Sequence, residues 1–151
     1  MLVKPDEFIV TVANLPEEKA EAMAVRIAVF VEEQHVPIEE EADKYDETAT
    51  HFVCRLPKEN RVIGTARLIQ AGENSAKIGR VAILSEFRKN GAGRKIMERV
   101  ELEAVNRGMT HLTLEAQLHA IPFYEKIGYQ AEGPVFLDAG IEHRRMTKQL
   151  K

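Results

Sequence analysis

Residues 81–95 read VAILSEFRKNGAGRK. An apolar run rich in β-branched residues, Val81-Ala82-Ile83-Leu84, gives way to the basic loop Arg88-Lys89-Asn90-Gly91-Ala92-Gly93-Arg94-Lys95. Helical spacing follows in Ile96/Met97, Val100 and Ala104. A strand that runs through a glycine loop into a helix presents the free N–H groups of the helix start to an anion. Gly91 and Gly93 let the backbone approach closely, and four basic side chains add local positive charge. The ligand this predicts is a phosphate or pyrophosphate. It is not a Walker loop, because GxxxxGK[ST] is absent, and the third glycine of GxGxxG is replaced by Ile96. On its own a GxG pattern more often marks a solvated turn. The strand, the basic residues and the helix around this one favour an anion site.

Reading outward, Phe8–Ala13 is a strand, and Pro16 to about Gln34 an amphipathic helix with Pro16, Glu17 and Glu18 in its first turn. Val36-Pro37 ends it. Thr50–Leu56, Arg61–Ile69 and Ala76–Ile83 are strands joined by short turns and therefore antiparallel. Gly91 to about Arg107 is a helix, His111–Gln117 an alternating strand, and Ile121–Ile127 a short helix. A last pair of strands lies near Tyr129–Val135 and Glu142–Gln149. The order predicts a mixed α/β domain, mainly antiparallel, with one βαβ crossover from Ala76 to Gln117. No linker, repeat or boundary interrupts 1–151, so a single domain is expected at ~100–200 residues per domain.

Composition narrows the function. The net charge is −3, from 21 Lys+Arg against 24 Asp+Glu, and it lacks the overall footprint of a nucleic-acid binder. No run of apolar residues is long enough to span a membrane. Met1–Val10 carries Lys4, Asp6 and Glu7 and does not read as a signal peptide. The single Cys54 can form no internal disulfide or thiolate zinc cluster, which suits a reducing, cytoplasmic setting. Cys54 itself reads as buried and inert. His35, His51, His111 and His143 read as structural or exposed, since no pair has metal-ligand spacing, and no metal is expected. The acidic run Glu39–Glu47, EEEADKYDE, reads as a solvated loop or short helix, with attraction of a cationic substrate as the alternative.

Arg88-x-x-Gly91-x-Gly93 resembles the R/Q-x-x-G-x-G/A signature of the GNAT superfamily of N-acetyltransferases. Gln117-x-x-Ala120-x-x-x-Tyr124-x-x-x-Gly128-Tyr129 resembles that family's second block. Residues 26–46 and 136–146 are similar to its ElaA- and YjcF-like branch. The resemblance implies the acyl-CoA N-acyltransferase fold, with acetyl-CoA lying between two splayed parallel strands, those ending at Leu84 and Gln117. Val81, Ala82 and Ile83 would pair with the pantetheine arm. Amides from Lys89 through Asn90, Gly91, Ala92 and Gly93 to Arg94 would hold the pyrophosphate, with charge from Arg88 and Lys89. Gln117 stands where many members have Asn. Phe123 would join the cofactor contacts, and Tyr124 matches the tyrosine that protonates the departing thiolate.

The implied reaction is transfer of an acetyl group to the primary amine of a small molecule. Other acyl-CoA donors, or a CoA-binding domain without catalysis, are the alternatives. The general base stays open between His119, Glu115, Glu33 and solvent water. Glu33, Gln34 and Glu115 are expected near the acceptor, and Arg144 and Arg145 are open to a phosphate-bearing one. Dimerisation is common among such folds, and the sequence does not decide it.

Overall fold

The computed structural model describes residues 3–150; Met1, Leu2 and Lys151 lie outside it, and with them the ends of the expected 1–151 domain and the start of the Met1–Val10 stretch. The strands are β1 (Ile9–Val12), β2 (Thr50–Leu56), β3 (Arg61–Gln70), β4 (Ser75–Ile83), β5 (His111–Gln117), β6 (Gln130–Asp138) and β7 (Ile141–Gln149). They make one sheet in the order β1-β2-β3-β4-β5-β7-β6. The β4–β5 pair is parallel and the others are antiparallel, as the order of elements predicts.

Helices cover both faces. The helix α3 (Ala92–Asn106) lays Ile96, Met97, Val100 and Ala104 on Phe52, Ile63, Ile78, Leu112 and Met146. Helix α1 (Pro16–Arg26) covers the other face, where Ala22, Val25 and Val29 meet Val53, Val62 and Ala82. Two short helices, α2 (Ile38–Glu41) and α4 (Ile121–Lys126), complete the set. The strand β5 shows why the sheet keeps its register. Leu112, Leu114 and Ala116 are buried on the α3 face, and a slip of one residue would turn all three away.

The structure departs from the sequence reading in three places. The first helix is α only to Arg26 and continues through Ile27–Glu33 as a π-helix. Its wider turn follows the β-branched positions Ile27, Val29 and Val31, which crowd an α turn. The final strands form a long hairpin whose turn, Ala139-Gly140, has both φ angles positive, 51° and 77°. The strand β6 therefore runs on to Asp138, past the expected end at Val135.

The third departure is the acidic run. Glu41 is 3% exposed and Arg26, opposite it, 1%. The Arg26 guanidinium donates to Glu41 Oε2 at 2.7 Å, to the Glu41 carbonyl at 2.7 Å and to Asp46 Oδ1 at 2.7 Å. Arg67 donates to both Asp43 oxygens and to Asp46 at 2.7–2.8 Å. Arg80 reaches Glu41 Oε2 at 3.0 Å and Asp43 Oδ2 at 3.3 Å. Glu41, Asp43 and Asp46 are thus held by arginines from α1, β3 and β4, while Glu39, Glu40 and Glu47 face water. The short helix of the sequence reading is present, as Ile38–Glu41 and a helical turn at Lys44–Glu47, but solvation describes only the latter three carboxylates.

These carboxylates carry a pH signature. Arg67 hydrogen bonds hold Asp43 below the ordinary carboxylate range. Burial opposes ionisation of Asp46, and hydrogen bonds from Arg26, the Asp43 amide and Arg67 outweigh it, so its pKa is also lowered. A depressed folded-state pKa stabilises the fold fully above the unfolded value, near 3.9 for Asp, and that contribution is lost progressively as pH falls from there through the lowered folded-state value. Denaturant midpoints should therefore be flat from about pH 7 to 5 and fall below about pH 4. Replacing both Asp43 and Asp46 by Asn should lower the plateau and flatten the acid slope.

Candidate active site

The parallel pairing of β4 with β5 runs from Ser75–His111 to Ile78–Leu114 and stops. Beyond it β4 stays with β3 as far as Ile83, while β5 stays with β7 as far as Gln117. The sheet is therefore open between Gly79–Ile83 and Glu115–Gln117. The cause is a bulge in β4. Thr65 pairs with Ala82 and Arg67 with Gly79, so Arg80 and Val81 together face Ala66. Arg80 carries the kink in the left-handed region, at φ 53°. That is an unfavourable conformation for a side-chain-bearing residue, and its guanidinium is the one tied to Glu41 and Asp43.

The open edge presents backbone groups. The Leu84 N–H donates to the Ile63 carbonyl at 2.9 Å, so strand alternation turns the Ile83 N–H toward the gap. The loop of Lys89–Gly91 lies at the end of that edge, with positive φ at Lys89 (67°) and Gly91 (87°). Left-handed residues that alternate with others, as Lys89 and Gly91 do around Asn90, turn successive N–H groups toward one side as a nest. Helical bonding in α3 begins with Lys95 N–H to the Gly91 carbonyl, which leaves the amides of Ala92, Gly93 and Arg94 without intrahelical acceptors. Lys89 and Arg94 are exposed beside them. Gly93 is needed for space, since a Cβ there would stand 3.1 Å from the Phe123 ring and 3.3 Å from Ile83.

Not every predicted side chain points at an anion. Arg88 spends its guanidinium on both Glu33 oxygens, at 2.6 and 2.7 Å, and on the Ile83 carbonyl at 2.9 Å. The Arg88 hydrogen bond lowers the pKa of Glu33, which leaves a weak proton acceptor. Glu115 is paired with Lys77 at 2.7 Å. Gln34 and Gln117 exchange reciprocal amide hydrogen bonds of 2.8 and 3.2 Å. The π-helical segment and the residue that caps it thus touch both lips of the opening, through Glu33 on one side and Gln34 on the other. His119 is exposed in the turn after β5. The Asn90 amide donates to the Arg88 carbonyl at 3.3 Å and closes the loop.

Tyr124 is 7% exposed, packed edge-on against Phe123 and Tyr129 at 5.0 and 5.9 Å between centroids. Burial raises its phenol pKa, so the group stays protonated through neutral and mildly basic solution. Cys54 is buried, and desolvation lifts its thiol to about 12, so it holds no thiolate at neutral pH. No group of His, Cys, Asp and Glu among the described residues could hold a metal.

Two sets of residues escaped the sequence reading. One is the Arg26–Arg67–Arg80 frame, whose partners are distant in the chain. The other is His143, which stands opposite Gln117 across β5–β7 and opposite Phe136 across β6–β7. The alternation of β7 was the available signal, since it puts His143 and Arg145 on one face.

Comparison with known proteins gives one family. A model described as an acetyltransferase (GNAT) domain matches residues 14–150. The chain is 36% identical to the uncharacterized N-acetyltransferase YjcF of Bacillus subtilis (strain 168), over 91% of this chain and 96% of that protein. The crystal structure of an acyl-CoA N-acyltransferase from Pseudomonas aeruginosa superposes with a TM-score of 0.78 at 30% identity, covering 93% of this chain and 97% of that one. Escherichia coli ElaA has the same fold, with a TM-score of 0.80 at 22% identity over 93% and 97% of the two chains.

Proposed function

The chain belongs to the GNAT acetyltransferase family, and from that premise we propose that it moves an acetyl group from acetyl-CoA to the primary amine of a small molecule by direct attack on the thioester. The observation that carries this reading is the gap in the sheet: parallel pairing ends at Ile78 and Leu114, and a nest of free amides sits at its mouth. The slot suits an extended acyl donor that ends in a pyrophosphate.

In this reading Val81, Ala82 and Ile83 offer the pantetheine arm the edge of a strand. The amides from Lys89 to Arg94 take the pyrophosphate, and the exposed Lys89 and Arg94 add charge. Phe123 packs beside Gly93 at the same end. Arg88 orients the loop through Glu33 and the Ile83 carbonyl. Gln117 reaches the donor after exchanging its bonds with Gln34. The Ile83 N–H stabilises the oxyanion that develops as the amine attacks. Tyr124 gives its proton to the sulfur as the C–S bond breaks. The acceptor lies over the face that holds Gln34, Gln117 and Glu115. A cytoplasmic setting and pairing of two copies through the exposed edge strand β6, with Val135 and Leu137 outward, belong to the same proposal.

Calorimetric titration with CoA, acetyl-CoA and NAD tests the donor. Binding of both CoA species and none of NAD is expected. Absence of CoA binding up to millimolar concentration overturns the reading. A screen of acetyl-CoA consumption over an amine panel then tests the reaction. Turnover only with a longer acyl-CoA, or binding with no turnover, would favour another donor or a non-catalytic domain.

A further inference from the structure

We infer that His143 is the general base that takes the proton from the acceptor amine. The inference rests on the acetyltransfer reading above and assigns a group that this reading leaves open. His143 is 9% exposed, and its Nδ1 lies 2.7 Å from the Ile141 carbonyl. A carbonyl can only accept, so Nδ1 carries the hydrogen and Nε2 keeps a lone pair. That is the tautomer a base needs. The ring stacks on Phe136 at 5.9 Å and 24°, which fixes its plane.

The position is the right one. His143 pairs with Gln117, the last residue of β5 and one lip of the gap, so both side chains stand on the same face. An open pocket of about 350 Å³ occupies that face, lined by Glu115, Glu132, Pro134, Phe136 and Arg145 among others. Of its lining, Glu115 lies two residues before Gln117 on β5 and Phe136 stacks on the imidazole, so the pocket borders both the lip of the donor slot and His143.

The other ionisable groups of the neighbourhood are already engaged or exposed. Glu115 of β5 is bound to Lys77, Glu132 of β6 to Arg145 of β7 at 3.1 Å, and Glu33 to Arg88. His119, in the turn packed on β7, faces solvent. Glu142 and Arg144 alternate onto the opposite face of β7, where Arg144 donates to the Gly133 carbonyl.

The step balances simply. An incoming ammonium gives one proton to Nε2 of His143 and becomes the nucleophile. The C–N bond forms and the C–S bond breaks, and the sulfur takes the Tyr124 hydroxyl proton. The nitrogen sheds its surplus proton as the amide forms, and the Tyr124 oxygen takes it back. His143 then releases its proton to water.

His143→Asn tests this, since an amide N–H in place of Nδ1–H keeps the bond to Ile141. The expected result is a fall in kcat of about 100-fold near neutral pH. The acid limb of the wild-type rate profile should vanish with it, and the affinity for CoA should stay within about twofold by calorimetry. Added imidazole should restore part of the rate in His143→Gly. An unchanged kcat and an unchanged acid limb in His143→Asn, with CoA binding intact, overturn the assignment and leave the acetyltransfer reading standing. No turnover by the wild-type chain with any amine overturns both.

Discussion

Arg26→Ala should cost the fold about 3–5 kcal/mol, a large part of the 5–15 kcal/mol that holds a domain together. The loss comes chiefly from what remains. Glu41, at 3% exposure, loses the Nε–H at 2.7 Å and its carbonyl loses the Arg26 donor, which leaves Arg80, with longer contacts of 3.0 Å to each, as its arginine partner. Asp46 retains Arg67 and is less affected. Denaturant unfolding followed by circular dichroism measures the change. The pair Arg26→Met with Glu41→Leu should lose less than Arg26→Ala alone, because both charges leave together. A double variant that falls as far as the single one would point to packing as the cause.

Tyr124→Phe should lower kcat by roughly 10²–10⁴-fold with little change in KM for acetyl-CoA. The ring and its contacts with Phe123 and Tyr129 survive the substitution; only the hydroxyl leaves. Because burial raises the pKa of this phenol, the wild-type enzyme should keep its donor protonated across the assay range. Its rate should show no basic limb from Tyr124 below about pH 10. Steady-state kinetics from about pH 6 to 10 settles the matter. An equal kcat for both proteins at every pH would remove Tyr124 from the chemistry.

The parts legible in the sequence are those whose causes are local. The run from Val81 to Lys95 shows strand, loop and helix within fifteen residues, because glycine, charge and periodicity each act on near neighbours. The alternation of β5 is equally local. The Arg26 frame is not: Arg26 meets Glu41 fifteen residues on, and Arg80 meets it 39 residues back. A run such as EEEADKYDE looks the same whether its partners are water or arginines brought in by α1, β3 and β4. The sequence does not mark the end of β6, because the strand is exposed along most of its length and no alternation carries past Val135. For His143 the alternation of β7 gives only a face, and its significance comes from Gln117 and Phe136 on the strands either side, which are distant in the chain.

The gap between β4 and β5 has one more consequence. Unpaired strand edges are sticky, and at the rim of a sheet they recruit strands from other molecules and seed aggregation. Here the raw edge lies in the interior of the sheet, with a neighbouring strand on its far side and the π-helical segment with its capping residue fastened to both lips through Arg88 and Gln117. A slender ligand can enter such a slit where a second polypeptide, with side chains on both faces, is too thick to follow. The protein keeps the adhesive power of a bare edge and shields it from its own kind.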